Sequence, residues 1–212
     1  MKQSVQAILT ELLERYSSLS ACENEICDAY ELIRNCYEND GKLLICGNGG
    51  SASDSDHIVG ELMKGFLKRR PVGEDFREKL REICEDADAC ADHLQGALPA
   101  ISLVQHSALL SAFSNDVDPE MIFAQQVFGY GKLGDVWIGL STSGNSGNVV
   151  RAAQVAKAMG LLTIALTGES GGKLRGICDI TIRVPETETF KIQELHLPVY
   201  HALCAMAEEE FF

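Results

Sequence analysis

Lys42-Leu43-Leu44-Ile45-Cys46-Gly47-Asn48-Gly49-Gly50-Ser51 is the stretch that decides the fold. An apolar run of strand length ends abruptly in glycines and a serine. A helix is expected directly behind it, over about 52–66. The same figure recurs in Asp135-Val136-Trp137-Ile138-Gly139-Leu140, followed by Ser141-Thr142-Ser143-Gly144-Asn145-Ser146 and a helix over 146–159. Glycines let the backbone approach an anion closely. Hydroxyls and free helix-start N–H groups then donate to it. One such loop is weak evidence. Two in matching strand–loop–helix contexts point to a phosphorylated small molecule.

Working outward, Ala100–Gln105, Leu161–Leu166 and Asp179–Val184 read as further strands. Gly160 stops the helix before the fourth strand, and the polar loop Thr167-Gly168-Glu169-Ser170-Gly171-Gly172 follows that strand. Helices are expected at 107–113 and 119–131, and a last one from Thr189 to Glu209. Ahead of the first strand, Val5, Ile8, Leu9, Leu12, Leu13 and Tyr16 recur at helical spacing. A second helix covers about 23–37 and ends at Asn39-Asp40-Gly41. Strands separated by helices imply an α/β fold. The reading is a three-layer αβα sandwich on a five-stranded parallel sheet, flavodoxin-like in arrangement, with N-terminal helices. Ligands of such sheets sit at the carboxyl ends of the strands, where both loops fall. No repeat, linker or low-complexity stretch divides the chain. One domain over 1–212 is expected, with a helical arm at 1–40 and an acidic helical insertion at about 72–97. That insertion carries an apolar stripe of Phe76, Leu80, Ile83, Cys84 and Ala87. It reads as a solvated helix packed by one face, or as a cover for a neighbour or subunit interface.

Composition narrows the function. The chain has 212 residues, 46% hydrophobic and 23% charged, enough for one well-buried core. A net charge of −13 argues against nucleic acid, and it repels an anionic substrate at long range, so anion capture must be local. No stretch approaches the ~20 apolar residues of a membrane helix, and the start lacks a signal-peptide core. A cytoplasmic location without membrane contact is expected. Eight cysteines lie scattered with no CxxC pair, as reduced core thiols do.

His57 and Glu61, four apart behind the first loop, share a helix face. Such a pair can ligate a metal, share acid/base work, or be an ordinary surface pair. The last helix carries Gln193, Glu194, His196 and His201 among apolar residues. His196 reads as a core histidine satisfied by hydrogen bonds. Asn115-Asp116 reads, on its own, as a turn or helix cap.

Together GNGGS, HxxxE, SND, STSGNS, LTG-x-x-GG-K and IQE-x-H-x-x-x-x-H resemble the SIS (sugar isomerase) domain, and within it the phosphoheptose isomerases. The likeness covers about 1–71 and 98–212 in one motif order. It implies interconversion of sedoheptulose 7-phosphate and D-glycero-D-manno-heptose 7-phosphate through an enediol. Asn48, Gly49, Gly50 and Ser51 would lie along the substrate, with Gln193 beside them. Ser141, Thr142, Ser143 and Ser146 would hold the phosphate, and Asn115 and Asp116 would contact the sugar. Glu61 would be the general base and His201 the opposing acid/base. His57, Glu61, Gln193 and His201 match positions that bind zinc in some members, one ion per subunit. The resemblance also implies a homotetramer whose active sites draw on neighbouring subunits.

Three departures stand out: the segment 72–97, Lys64-Gly65 where the family often has Gly-Arg, and Pro198 inside the last helix. Eight helical residues between Gln193 and His201 span ~12 Å, a long reach for two ligands of one ion. Two other functions remain open on the residues: a non-catalytic SIS protein that binds a replication initiator or another partner, and an isomerase or sensor for another sugar phosphate. Retention of Glu61 and His201 favours the enzyme.

Overall fold

The computed structural model describes residues 1–212. Five parallel strands, β1 (Leu43–Gly47), β2 (Ala100–Ser102), β3 (Val136–Leu140), β4 (Leu162–Thr167) and β5 (Ile180–Arg183), form one sheet. Their order is β2-β1-β3-β4-β5. Strand β1 lies at the point where the order reverses, and the crevice between the ends of β1 and β3 is the switch point at which such sheets bind ligands.

Alternation along each strand divides the core between two faces. Leu43, Ile45, Val136, Ile138, Ile164, Leu166 and Ile182 point to one side. There they meet α1 (Gln3–Arg15), α2 (Glu23–Glu38), α3 (Gly50–Met63) and α9 (Thr189–Phe211). Leu44, Cys46, Trp137 and Ala165 point to the other side, against α7 (Ile122–Tyr130) and α8 (Gly147–Ala158). Both sides of β1 and β3 are buried, which is why these strands read as continuous apolar runs. Asp135, 3% exposed, locks their starts together. Its carboxylate accepts from Lys42 N (3.0 Å), Lys42 Nζ (2.5 Å) and Lys132 N (2.8 Å). With the starts held level, the loops leave the sheet side by side.

Several element limits differ from the sequence reading. The helix after the first loop stops at Met63 rather than near residue 66. Arg70 takes over its last carbonyls, donating to Leu62 O (2.7 Å) and Glu61 O (3.3 Å). Strand β2 is only three residues long, and Gln105 turns away to donate to Asp56. The acidic segment is broken into α4 (Glu74–Arg81) and α5 (Ala87–His93). Arg81 ties them by donating to Glu74 and Asp88, and Arg77 pairs with Asp92. Its apolar stripe is not packed throughout, since Phe76 and Ile83 stay exposed. Helix α6 (Ser107–Asp116) runs longer than expected and takes Asn115 and Asp116 into its last turn. Helix α9 continues through Pro198 to Phe211.

Candidate active site

Two loops form a cleft of about 330 Å³ at the ends of β1 and β3. It is lined by Asn48, Gly49, Gly50, Ser51, Leu140, Ser141, Thr142, Ser146, Thr189 and Gln193. None of these is charged, so on a chain of net charge −13 the cleft offers an anion only neutral donors. Two glycines make this possible. Gly49 (φ 57°) turns the chain into α3 from a left-handed conformation. Gly144 (φ 65°) does the same in the second loop, where a Cβ would meet Gly171 O at 2.1 Å. The second loop is braced from outside: Ser143 Oγ accepts from Asn145 N (3.2 Å), and Asn145 Oδ1 accepts from Lys173 N (3.1 Å).

Ser141 Oγ and Ser146 Oγ lie 3.0 Å apart, so each can give its proton to an incoming oxygen. Ser146 is the N-cap of α8 and makes no capping bond with its side chain, which leaves the hydroxyl and the positive end of the helix dipole to a ligand. Asn48 and Asn148 bridge the two loops by a reciprocal amide pair of 2.8 and 3.0 Å. Gln193 reaches the cleft from α9, where a Cβ on Gly50 would lie 2.7 Å from its Nε2. Asn148 and Thr189 were not among the expected residues.

A second cluster stands on α3 and α9. His57 Nε2 lies 3.2 Å from Glu61 Oε1 and 3.4 Å from His201 Nε2. The two imidazoles meet edge to face, with centroids 4.9 Å apart. His57 Nδ1 lies 3.1 Å from the Tyr200 hydroxyl, which donates to Asp54 Oδ1 (3.2 Å). Lys64 Nζ donates to Glu61 Oε2 (2.9 Å), so the residue that departs from the family pattern turns back onto the carboxylate. Burial, then the neighbouring His57, hold the His201 imidazole below its usual range, so it is neutral at neutral pH. Burial pushes the Asp54 carboxyl up.

A buried latch fixes the helices that carry this cluster. Glu208, seven residues after His201 on α9, accepts from Phe66 N (2.8 Å), Leu67 N (2.7 Å), Lys68 N (3.1 Å) and Arg70 Nε (2.8 Å). Burial works to raise its carboxyl, but these donors outweigh burial and hold it low. Arg70 is fully buried and also caps α3 at Glu61 O, so one ion pair joins the backbone of Glu61 to the helix of His201.

The expected residues therefore fall into two groups. Asn48–Ser51, Ser141, Thr142, Ser146 and Gln193 share the cleft. His57, Glu61 and His201 share the cluster, and His201 lines a different groove with Phe66, Leu197 and Pro198. Ser51 and Glu61 are separated by ten residues of α3, ~15 Å. Ser143 braces its loop and does not line the cleft. Asn115 donates to Asp116 (2.7 Å) at the exposed end of α6, and neither lines the cleft. Of the four zinc positions, His57, Glu61 and His201 meet in the cluster. Gln193 lies two turns from His201 on α9, at Gly50. Lys64 supplies a positive charge to Glu61. His196 is fully buried, and its ring nitrogens make no close hydrogen bond beyond a marginal one with the Thr167 backbone.

No helix is long and apolar enough to cross a membrane. The profile of the SIS domain matches residues 4–77 and 79–168, so it runs into the acidic segment from both sides. A phosphoheptose isomerase of Rhodospirillum rubrum is 34% identical over 209 residues, spanning 99% of this chain and 98% of its own. One from Nitratiruptor sp. is 37% identical over 211 residues, spanning 98% of this chain and all of its own. The structure of the phosphoheptose isomerase from Neisseria gonorrhoeae superposes with a TM-score of 0.74 at 31% identity, covering 98% of each chain. The chain belongs to the SIS domain family and, within it, to the phosphoheptose isomerases.

Proposed function

We propose that this chain interconverts sedoheptulose 7-phosphate and D-glycero-D-manno-heptose 7-phosphate, with Glu61 as general base and His201 as the opposing acid/base. The observation that carries the residue roles is the meeting of Glu61 Oε1 and His201 Nε2 at one atom, His57 Nε2. Aldose–ketose isomerisation moves a proton between C1 and C2 through an enediol. A carboxylate takes the carbon-bound proton and returns it to the neighbouring carbon. A neutral imidazole can give its proton to the carbonyl oxygen and recover it from the hydroxyl. Glu61 and His201 have those chemistries. Lys64, on the far oxygen of Glu61, keeps positive charge beside the developing enediolate.

The phosphate does not react. Ser141, Thr142, Ser146 and the start of α8 grip it, and that binding energy goes into orienting the sugar. The separation of cleft and cluster within one chain supports a site completed between subunits of a homotetramer. In that arrangement the sugar leaves one subunit's cleft toward a neighbour's Glu61 and His201. Zinc would be held by His57, Glu61 and His201 and would add a cation beside the developing enediolate; the roles of Glu61 and His201 rest on the chain's own side chains.

Purified protein incubated with sedoheptulose 7-phosphate, with and without added zinc, should yield an aldose 7-phosphate. Absence of aldose in both arms at high enzyme concentration removes the proposal. Product only in the zinc arm removes the metal-free assignment of roles.

A further inference from the structure

We propose that Asn148 is a positioning residue that fixes the side-chain amide of Asn48, so that Asn48 presents an N–H to a hydroxyl of the sugar chain. The contacts start at the head of α8, where the first backbone N–H groups have no acceptor within the helix. One of them, Val149 N, donates to Asn148 Oδ1 (2.9 Å). A backbone N–H can only donate, so the atom facing it must be the amide oxygen. The same oxygen accepts from Asn48 Nδ2 (2.8 Å), and Asn148 Nδ2 donates back to Asn48 Oδ1 (3.0 Å). Turning Asn48 over alone would set oxygen against oxygen and NH2 against NH2. Turning both over would set an NH2 against the N–H of Val149. One orientation of Asn48 therefore satisfies every group from Val149 to the cleft.

That orientation leaves Asn48 with a donor to spare. A side-chain amide carries two N–H groups, and the reciprocal pair uses one from each partner. Asn48 is exposed and lines the cleft, so its second N–H is open to a ligand there. The phosphate has its own donors in Ser141, Ser146 and the start of α8. Asn48 stands on the opposite loop, 100 residues away in the chain. On the isomerase reading, which this step rests on, its N–H meets a hydroxyl of the sugar that the phosphate anchors.

Asn148 itself does not line the cleft, so its effect on a ligand passes through Asn48. Without it, the Asn48 amide is free to rotate and can turn its oxygen toward the ligand. Each binding event must then order that side chain first, and the cost appears as lost affinity. The loss should fall on the sugar and spare the phosphate, the opposite of what removing a phosphate donor does.

The test uses the full-length protein. In the ligand-free parent, nitrogen-edited NMR should show a nuclear Overhauser contact between the NH2 groups of Asn48 and Asn148, assigned by its loss in Asn48→Ala and Asn148→Ala. Its absence overturns the proposal. In a Glu61→Gln background, which removes turnover, Asn148→Ala should weaken calorimetric binding of sedoheptulose 7-phosphate about tenfold. Inorganic phosphate should bind within about twofold of the parent, because its donors are untouched. With Glu61 intact, KM should rise about tenfold and kcat should stay within about a factor of three. A residue that only braced the cleft would weaken both ligands alike, and that result overturns the proposal, as does unchanged binding of the sugar phosphate. The double variant Asn48→Ala/Asn148→Ala should bind no more weakly than Asn48→Ala alone. Additive losses overturn the proposal too, since Asn148 would then act by itself. A parent that binds sedoheptulose 7-phosphate without turning it over counts against the isomerase reading and leaves these results standing. A parent that does not bind it overturns both.

Discussion

The cleft at the ends of β1 and β3 and the cluster on α3 and α9 are built from different materials. The cleft is mostly main chain and short hydroxyls, shaped by Gly49 and Gly144 at positive φ and set level by Asp135 at the far end of the sheet. The cluster is side chains at the ends of rotatable bonds, aimed by a buried ion pair and by a phenol. A phosphate keeps its charge throughout the reaction, so fixed neutral dipoles suffice to hold it. A proton in transfer changes the charge of whatever receives it, so titratable groups must be placed one by one. The difference teaches that binding and turnover should separate under mutation.

The largest effect should follow Glu61→Gln. The amide keeps the shape and loses the base, and kcat should fall by at least ~10³ with KM nearly unchanged. Turnover within tenfold of the parent would remove Glu61 as base and leave the cleft as the only functional part of the comparison. Glu208→Gln comes next. It leaves the Arg70 guanidinium buried without its counter-charge, and losing one partner of a buried pair costs about 3 kcal/mol. Urea unfolding should show that loss. A change below ~1 kcal/mol would mean that the backbone donors alone hold the latch.

The cleft was far more legible in the sequence than the cluster. Loops that end parallel strands write their chemistry into contiguous residues: Gly47–Ser51 and Ser141–Ser146 each read as an anion loop before any fold is known. The layers were legible for the same reason, since Leu44 and Ile45 must face opposite cores. The cluster depends on contacts across more than a hundred residues, Asp54 to Tyr200 and Arg70 to Glu208, and no local period announces them. His57 and Glu61 are visible as a helix pair, while the helical period of α9 does not set Tyr200 apart. A signal was present: a tyrosine directly before His201, and an aspartate one turn before His57. The break in the acidic segment at 82–86 was hidden by its continuous charge, which suits two short helices as well as one long one.

His196 offers a smaller test, on the α9 stretch between the two regions. Burial pushes its imidazole down from 6.5 to about 4. At neutral pH it is uncharged folded and unfolded. As pH falls from 6.5 toward 4, the unfolded chain takes a proton that the folded chain refuses, so stability falls. Between neutral pH and pH 5 the loss should be about 2 kcal/mol, order of magnitude. His196→Leu should remove that slope while leaving phosphate binding intact, because the ring has only a marginal contact with the Thr167 backbone to lose. An unchanged slope would assign the acid sensitivity elsewhere, for instance to Glu208, which loses its latch as it is protonated at lower pH.

The smallest expected effect is the one that cuts the comparison most cleanly. Ser146→Ala removes one hydroxyl from the cleft and touches nothing in the cluster. Its partner Ser141 Oγ remains, as does the start of α8, so the phosphate loses one charge-assisted bond of several. Such a bond is worth ~1.5 kcal/mol at the low end, about tenfold in affinity. If the cleft only anchors, KM should rise about tenfold and kcat should stay within about a factor of three. Inorganic phosphate, as a competitive inhibitor, should weaken by the same factor, because it probes the grip without the sugar. A fall in kcat instead would mean that phosphate binding energy is spent at the reacting carbons. In that case the neutral cleft and the titratable cluster act as one device, and Ser146 belongs to turnover as much as Glu61 does.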